Sequence, residues 1–386
     1  MKIGLVAPGG FDRSGTERVL PIFLWFVERL ARRHEVHVFT LQQYPWPAHY
    51  PLVGAQIHNV GEERRRPRLL RLMTSTLQMI WREHAAGGFD VFHGLWASQS
   101  GLAAALAGRL FRAPCVVSVV GGELARVPQI DYGSQLSIRA RMTVAVALRL
   151  AQMVTVESPY NLELVRRLRR DALLAPFGVD TDLFSPPTSP PPHPPWTLLH
   201  VASLNRVKDQ PTLLRAFARI HAVNPNTRLD IVGMDTLNGA IHRLAAELEL
   251  GDSVQFHGFQ PSGQVADFMA RSHLLLHSSL HEAGEVVTLE AAAAGLPTVG
   301  TAVGHVAQLA PGAAFAVPVG DDRALAAAVL DLLADPIRRR QLGRNALAWA
   351  RAHNADWSTA QYEVLYTDLI CGVPSGTSRR VLRERS

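Results

Sequence analysis

The chain of 386 residues is long enough for two domains, each with its own core, and its 47% apolar content is ordinary for a soluble globular protein. It contains no run of about 18 apolar residues, which excludes a membrane-spanning helix, and Cys115 and Cys371 stand too far apart in the sequence to call for a disulfide or a metal. The net charge of +6 sits in the first half, with 22 Lys plus Arg against 15 Asp plus Glu over residues 1–185 and 17 against 18 thereafter; a basic half suits an anionic surface or substrate, or simply Arg-rich solvated faces.

The opening MKIGLVAP reads as a buried strand over Lys2–Ala7 rather than a leader, so a cytoplasmic protein is expected. In PGGFDRSGTERVL, Gly9, Gly10 and Gly15 let the backbone approach a ligand. Ser14 and Glu17 match a capping box and predict an amphipathic helix over 16–32, whose start would offer N–H groups to an anion. The glycine spacing is not that of a dinucleotide fingerprint. A strand over 35–40 follows a short loop, which favours a parallel sheet. RRRPRLLR, 64–71, leads into a helix over 69–81 carrying Leu, Met and Trp, either a solvated helix start or a face for an anionic membrane. Strands over 90–96 and 114–123 end near His93 and Trp96, and at Gly121, Gly122 and Glu123. Ligands of open α/β sheets bind beyond strand C-termini, so both tips are candidate ligand walls, although a histidine placed like His93 is more often a buried core residue. A strand over 153–158 and a basic helix over 160–170 follow. Asp180-Thr181-Asp182 spells D-x-D, but a hard metal needs several converging oxygen ligands, and no metal site is read there. SPPTSPPPHPPW, 185–196, is a stiff spacer; two domains joined by it imply a cleft between them.

The second half opens with a strand over 197–202 and then SLNRVKDQPTLLRAF, whose helix start near Gln210 again points N–H groups at an anion site. Lys208 is one of only two lysines among 39 basic residues. A compact ammonium suits a phosphate oxygen, though a solvated loop lysine fits the spacing too. A strand over 228–232 ends at Gly233-Met234-Asp235, a helix spans 237–248, and a strand over 253–259 ends at Gly258 and Phe259. A helix over 262–271 and a strand over 273–277 precede HEAGEVVTLEAAAAGLPTVGTAVGH, 281–305. That stretch reads as a polar loop, a helix from about Val287 stopped by Gly295 and Pro297, a strand over 298–301 and a break at Gly304. Glu282 precedes Glu290 by eight positions, and no Lys or Arg lies between Arg271 and Arg323 to pair with Glu290. A carboxylate there is either a solvated helix start or a ligand contact. Helices over 322–334, 336–353 and 356–369 close the chain, and its Arg-rich end after Cys371 reads as disordered.

The E-x7-E pair with its EAAAAGLPTV tail resembles the donor-sugar motif of retaining, nucleotide-sugar-dependent glycosyltransferases of the GT-B fold, the group 1 or family-four set. The resemblance implies an α/β chain of two Rossmann-like, doubly wound domains facing a cleft. The implied boundaries are 1–184 for an acceptor-side domain, 185–196 for the linker, 197–353 for a nucleotide-sugar domain, 354–370 for a helix crossing back, and 371–386 for a tail. APFGVDTDLF, with Phe177 in place of the usual Asn, resembles the entry to the inter-domain link. The family resemblance places Glu282 near the transferred sugar, Glu290 on the ribose hydroxyls and Lys208 on the diphosphate. Ser203 stands where the family has Arg, with Arg206 as a substitute, and Ala283, Gly284 and Glu285 stand where it has Gly-Phe-Gly. The Gly10 and Gly15 loop would lie under the diphosphate, and Gly258 would meet the base through the backbone. Asn205, Gly233, Asp235, Phe259, Gly284, Glu285 and Val286 complete the implied donor set. His93, Trp96, Gly121, Gly122 and Glu123 form the implied acceptor side; the family's usual histidine there is Val120.

The implied reaction moves a sugar from a UDP- or GDP-linked donor to a hydroxyl with retention. It uses no cofactor or metal, and cations and helix starts stabilise the leaving diphosphate. The implied partners are the nucleotide sugar and a carbohydrate or lipid-linked acceptor in cell-surface polysaccharide or glycolipid assembly, with an anionic membrane surface at the inner face and no nucleic acid. A nucleotide-sugar epimerase on the same fold and a non-catalytic sugar-binding protein are the alternatives.

Overall fold

The computed structural model describes residues 1–61 and 68–373. Its internal contacts separate two units, Met1–Gly178 together with the segment from Ala355, and Val179–Asn354. The boundary at Gly178 falls ahead of the expected edge at 184, and the Pro-rich segment lies within the second unit. Part of the 64–71 basic run and most of the expected disordered tail lie outside the described residues.

The first unit comprises β1 (Lys2–Ala7), α1 (Pro21–Ala31), β2 (Glu35–Thr40), β3 (Ala48–Leu52), β4 (Ala55–Asn59), α2 (Arg68–Ala86), β5 (Val91–Leu95), α3 (Gln99–Phe111), β6 (Cys115–Val119), α4 (Ile138–Leu150), β7 (Met153–Val156), α5 (Pro159–Arg166) and β8 (Leu173–Leu174). The strand order is β3-β4-β2-β1-β5-β6-β7-β8, parallel except for β3 against β4. The central strands are buried on both faces, as a sheet covered on both sides requires. The β3–β4 pair, α3 and α4 have no clear sequence signal. α3 is short of large apolar residues because it presses against β5 at Gly94 and Gly101, where a Cβ on Gly94 would overlap the Gly101 backbone.

The expected helix over 16–32 is corrected. Ser14 Oγ does accept from the Glu17 amide at 3.0 Å, but this closes a turn, not a helix start. Arg18 takes a left-handed conformation with φ 48°, and Phe11 pairs with Val19 in an isolated bridge. The helix begins at Pro21, whose fixed φ and missing N–H suit a first helical position.

The second unit comprises β9 (Trp196–Val201), α6 (Gln210–Val223), β10 (Thr227–Val232), α7 (Ala240–Glu247), β11 (Val254–Phe256), α8 (Ser262–Ala270), β12 (Leu274–His277), α9 (Val286–Ala293), β13 (Thr298–Thr301), α10 (Gly304–Leu309), β14 (Ala314–Val317), α11 (Asp322–Ala334) and α12 (Pro336–Ala352). Its all-parallel sheet runs β11-β10-β9-β12-β13-β14.

The last helix, α13 (Ala355–Ile370), belongs to the first unit. Tyr362 and Tyr366 on it are fully buried. Tyr362 stacks on Phe177 at 4.9 Å between ring centroids, and its hydroxyl donates to the Ala175 carbonyl at 2.9 Å. Phe177, in the position where the resembling family has Asn, is therefore a core residue, packed edge-on against Phe23 and Phe26.

Candidate functional site

In each sheet the chain runs outward from a central strand in both directions, so loops diverge where the order reverses and leave a crevice at the strand C-termini. In the second unit that point lies between β9 and β12. The loops leaving these two strands carry Lys208 and Glu282.

Lys208 ends a short 3-10 turn over Arg206–Lys208. Asn205 shapes this turn by accepting from the amides of Val207 and Lys208 at 3.1 and 3.3 Å. The Leu280 amide donates to the Val207 carbonyl, and Ser278 Oγ to the Lys208 carbonyl, so the two loops are joined through their backbones. Lys208 Nζ lies 2.5 Å from Glu282 Oε1, and Ser279 Oγ donates to the same oxygen at 2.6 Å. His277 Nε2 stands behind at 3.5 Å from Glu282 and 3.1 Å from Ser279 Oγ. Burial alone would raise the Glu282 carboxyl; Lys208 and His277 outweigh it and hold the carboxyl well below its usual range. The site is thus a fixed, partly buried ion pair, with the Lys208 side chain about one-fifth exposed.

Glu290 lies on α9 in different surroundings. It is buried, and among the described residues no side chain or amide bonds its carboxylate. Burial pushes its carboxyl up to about 8. Buried acids are ordinarily paired, so an unpaired one is a candidate for a ligand contact.

Glu285, expected to contact donor, has its carboxylate engaged elsewhere. It accepts from the amides of His305 and Val306 at 3.0 Å each and from Thr288 Oγ1 at 2.8 Å. It thereby caps α10 from a distance. Gly304 makes this possible: its φ is +49°, and a Cβ there would fall on the Glu285 carboxylate. Replacing Gly304 with Ala should cost about 3 kcal/mol of stability through both effects, read as a lower denaturation midpoint at unchanged slope.

The expected anion site at the start of α6 is corrected. Asp209 caps that helix, accepting from the Thr212 amide, and Pro211 has no N–H to give. The start of α9 has no side-chain cap; it opens at Val286, directly after Gly284 and Glu285. The remaining donor candidates line the same edge of the sheet. Ser203 and Arg206 are exposed beyond β9. Beyond β10, Gly233 donates to the Gly258 carbonyl at 2.8 Å, and Asp235 accepts from the amides of Leu237 and Gly239. Phe259, 46% exposed, stands next to Gly258 beyond β11.

In the first unit the reversal lies between β1 and β5. A cavity of about 1140 Å³ opens there, lined by Pro8, Gln42, Arg68, Ser98 and Arg139 among others. Gly10, with φ 89°, and Gly15, with φ 68°, lie in the loop after β1. Gly15 starts no helix, so the expected dipole contribution from it is absent. Asp12 organises this loop instead, accepting from Arg18 at 2.6 Å and Tyr44 Oη at 3.0 Å.

Of the expected acceptor-side residues, His93 is corrected to a core position. It is mid-strand and fully buried, 2.7 Å from both Tyr366 Oη and Ser118 Oγ, and burial lowers it to about 3. β5 is buried on both faces, so its middle residue has no route to solvent. Glu123 also turns in: buried, it accepts from the amides of Ala97, Val120 and Gly121, tying the ends of β5 and β6. Trp96, Gly121 and Gly122 remain partly exposed at the strand tips. Arg139 and Ser137 of the cavity lining were missed, because they stand at the start of α4, well past the tip of β6. No described helix is long and apolar enough to cross a membrane.

Two family models cover most of the chain: Glycosyl transferases group 1 matches residues 184–349, and Glycosyl transferase 4-like domain matches 21–173. The chain is 29% identical over 393 aligned residues to the D-inositol 3-phosphate glycosyltransferase of Stackebrandtia nassauensis, covering 91% of this chain and 87% of that one. Among solved structures it is similar to sucrose-phosphate synthase from Thermosynechococcus elongatus, with a TM-score of 0.82, 22% identity, and coverage of 96% of this chain and 100% of that one. It is also similar to Anabaena HepE in complex with UDP-glucose, with a TM-score of 0.73, 19% identity, and coverage of 95% and 100%. Two Rossmann-like sheets, both families' models in their expected order, and relatives aligned along nearly the whole length together place this chain among the group 1 glycosyltransferases of the GT-B fold.

Proposed function

We propose that the protein transfers a sugar from a nucleoside diphosphate sugar to a hydroxyl acceptor with retention at the anomeric carbon and without a metal. The observation that carries this reading is the Lys208–Glu282 pair at the crevice between β9 and β12. Lys208 supplies the fixed cation that a metal-free departure of the diphosphate needs. The uncapped start of α9 adds N–H groups to the same negative charge. Glu282, kept ionised, faces the sugar, and Glu290 meets the ribose hydroxyls, which give its buried carboxyl the partners it lacks. Ser203, Asn205, Arg206, Gly233, Asp235, Gly258 and Phe259 form the rim along the same edge, with Phe259 offering a face to the base. The leaving phosphate takes the acceptor's proton, since among the described residues none stands as a separate general base.

The donor is UDP- or GDP-linked; HepE binds UDP-glucose, which favours uracil. The acceptor side is the cavity of the first unit, with Trp96, Gly121 and Gly122 at its strand tips. Its Arg68 and Arg139 suit an anionic acceptor, and the relative acts on an inositol phosphate. Cell-surface polysaccharide or glycolipid assembly, at the cytoplasmic face of a membrane, accommodates such a lipid-linked or phosphorylated acceptor.

Thermal-shift titration against UDP, GDP and ADP should show stabilisation by one of the first two, and proton NMR of a product should show the donor's anomeric configuration kept. A donor that is only isomerised would make the protein an epimerase. Binding with no donor hydrolysis and no transfer would make it a sugar-binding protein.

A further inference from the structure

Away from the strand C-termini, the first unit holds a polar cluster that the transfer reaction does not use. We propose that His37, His58 and Glu83 form a binding site for one divalent transition-metal ion of the zinc class. The three residues come from three elements, β2, β4 and α2, and each can offer one ligand atom such that all three lie within 4.8 Å of one another. His37 Nδ1 is 2.9 Å from His58 Nε2. The Glu83 oxygens lie 3.7 Å from His37 Nδ1 and 3.8 Å from His58 Nδ1. Ligands of a tetrahedral zinc ion, each bonded at about 2.0–2.1 Å, sit roughly 3.3 Å apart, so small side-chain rotations would bring the set around an ion.

The proton inventory supports the same assignment. The far nitrogen of His37, Nε2, lies 3.0 Å from Glu35 Oε1, and Lys2 Nζ in turn lies 3.2 Å from that oxygen. With Nε2 donating to Glu35, His37 Nδ1 is left as a bare lone pair aimed at His58. A carboxylate behind the far nitrogen is also the usual way a ligating imidazole is oriented. His58 can satisfy that lone pair only by donating from Nε2, which leaves its own Nδ1 bare toward Glu83. Among the described residues no donor bonds the Glu83 carboxylate. The His58 Nδ1 lone pair and the Glu83 carboxylate are thus left facing one another without a donor, and an ion that displaced the His37–His58 hydrogen bond would meet both imidazoles and the carboxylate. Lys2 does not supply that donor: its ammonium is held by Glu35 and by the Glu83 backbone carbonyl at 3.0 Å. Phe39 and Phe89 wall the cluster, with ring centroids 4.9 Å from His58 and 5.4 Å from His37. The Glu83 side chain is 32% exposed, which leaves an entry path and room for water as a fourth ligand. Two nitrogens and one oxygen suit zinc and its neighbours rather than magnesium or calcium. A bound ion would cross-link β2, β4 and α2.

The test uses the full chain without a histidine tag, stripped by a chelator and titrated calorimetrically with zinc chloride and, separately, magnesium chloride. The expected result is one zinc per chain, no response to magnesium, and a melting temperature several degrees higher with zinc. Glu83→Gln and His58→Gln should each weaken zinc binding about tenfold or more. Glu83→Gln is a partly exposed change that leaves the core intact, so a folding defect in the histidine variant would not obscure the result. Absence of stoichiometric zinc, or zinc binding unchanged in both variants, would overturn the site.

Discussion

Lys208→Ala should reduce turnover by about three orders of magnitude, the scale on which removal of a fixed oxyanion-stabilising group acts. The same change removes the principal partner of a partly buried carboxylate. Glu282 would keep only Ser279 and His277, and the fold should lose about 1–2 kcal/mol, less than for a fully buried pair because both side chains still reach solvent. The two effects separate in the double variant Lys208→Met with Glu282→Gln. With neither charge left to strand, stability should recover most of that loss while activity stays near background. Chemical denaturation and single-turnover sugar transfer read the two quantities independently. Normal turnover in Lys208→Ala would remove this residue from the chemistry. The pair also sets an acid limit. Because the folded Glu282 carboxyl lies below its ordinary value, its stabilisation is present above about pH 4.5 and is lost as pH falls toward the folded value.

Glu290→Gln should act in opposite directions on stability and on donor binding. The folded carboxyl is raised from 4.5 to about 8, so the unfolded chain ionises first as pH rises. Stability contributed at this position is therefore highest below about pH 4.5, declines through the interval to 8, and levels off above it. The amide cannot ionise, so the variant should melt several degrees higher than the parent at pH 8.5 and at nearly the same temperature at pH 5. Affinity for the nucleoside diphosphate should fall about tenfold or more, because the ionised acid that accepts from the ribose hydroxyls is gone. A nucleotide-bound parent should release a smaller fraction of this penalty, since two hydroxyl donors favour the ionised form. Equal melting of parent and variant at pH 8.5 would show that Glu290 is not desolvated in solution.

Much of this site was legible before any coordinates. Lys208 is unusual in a chain that otherwise uses Arg, and Glu282 precedes and Glu290 lies within an apolar helix with no cation near in sequence. The all-parallel second sheet follows from strands alternating with amphipathic helices. Less legible were features set by contacts distant in sequence. Glu285 looks like a ligand residue until α10 is seen to place two amides on it. His93 looks like a strand-tip histidine until the register with β6 and the arrival of Tyr366 put it in the core. The capping box at Ser14 is locally correct chemistry, overruled by Pro21 and by the Phe11–Val19 bridge. Asp209, read as part of a helix start open to anions, is the group that closes it.

The placement of α13 in the first unit has a consequence for biogenesis. Phe26, Phe177 and His93 are covered by aromatic rings that are translated only after the whole of the second unit. While the ribosome is still translating the intervening segment, the earlier-made lobe lacks its last layer and presents an apolar seam. The later-made lobe, contiguous in sequence, has no such dependence and can finish first. A nascent chain stalled before Ala355 should therefore recruit holdase chaperones to its amino-terminal portion, and release of the final helix should end that association.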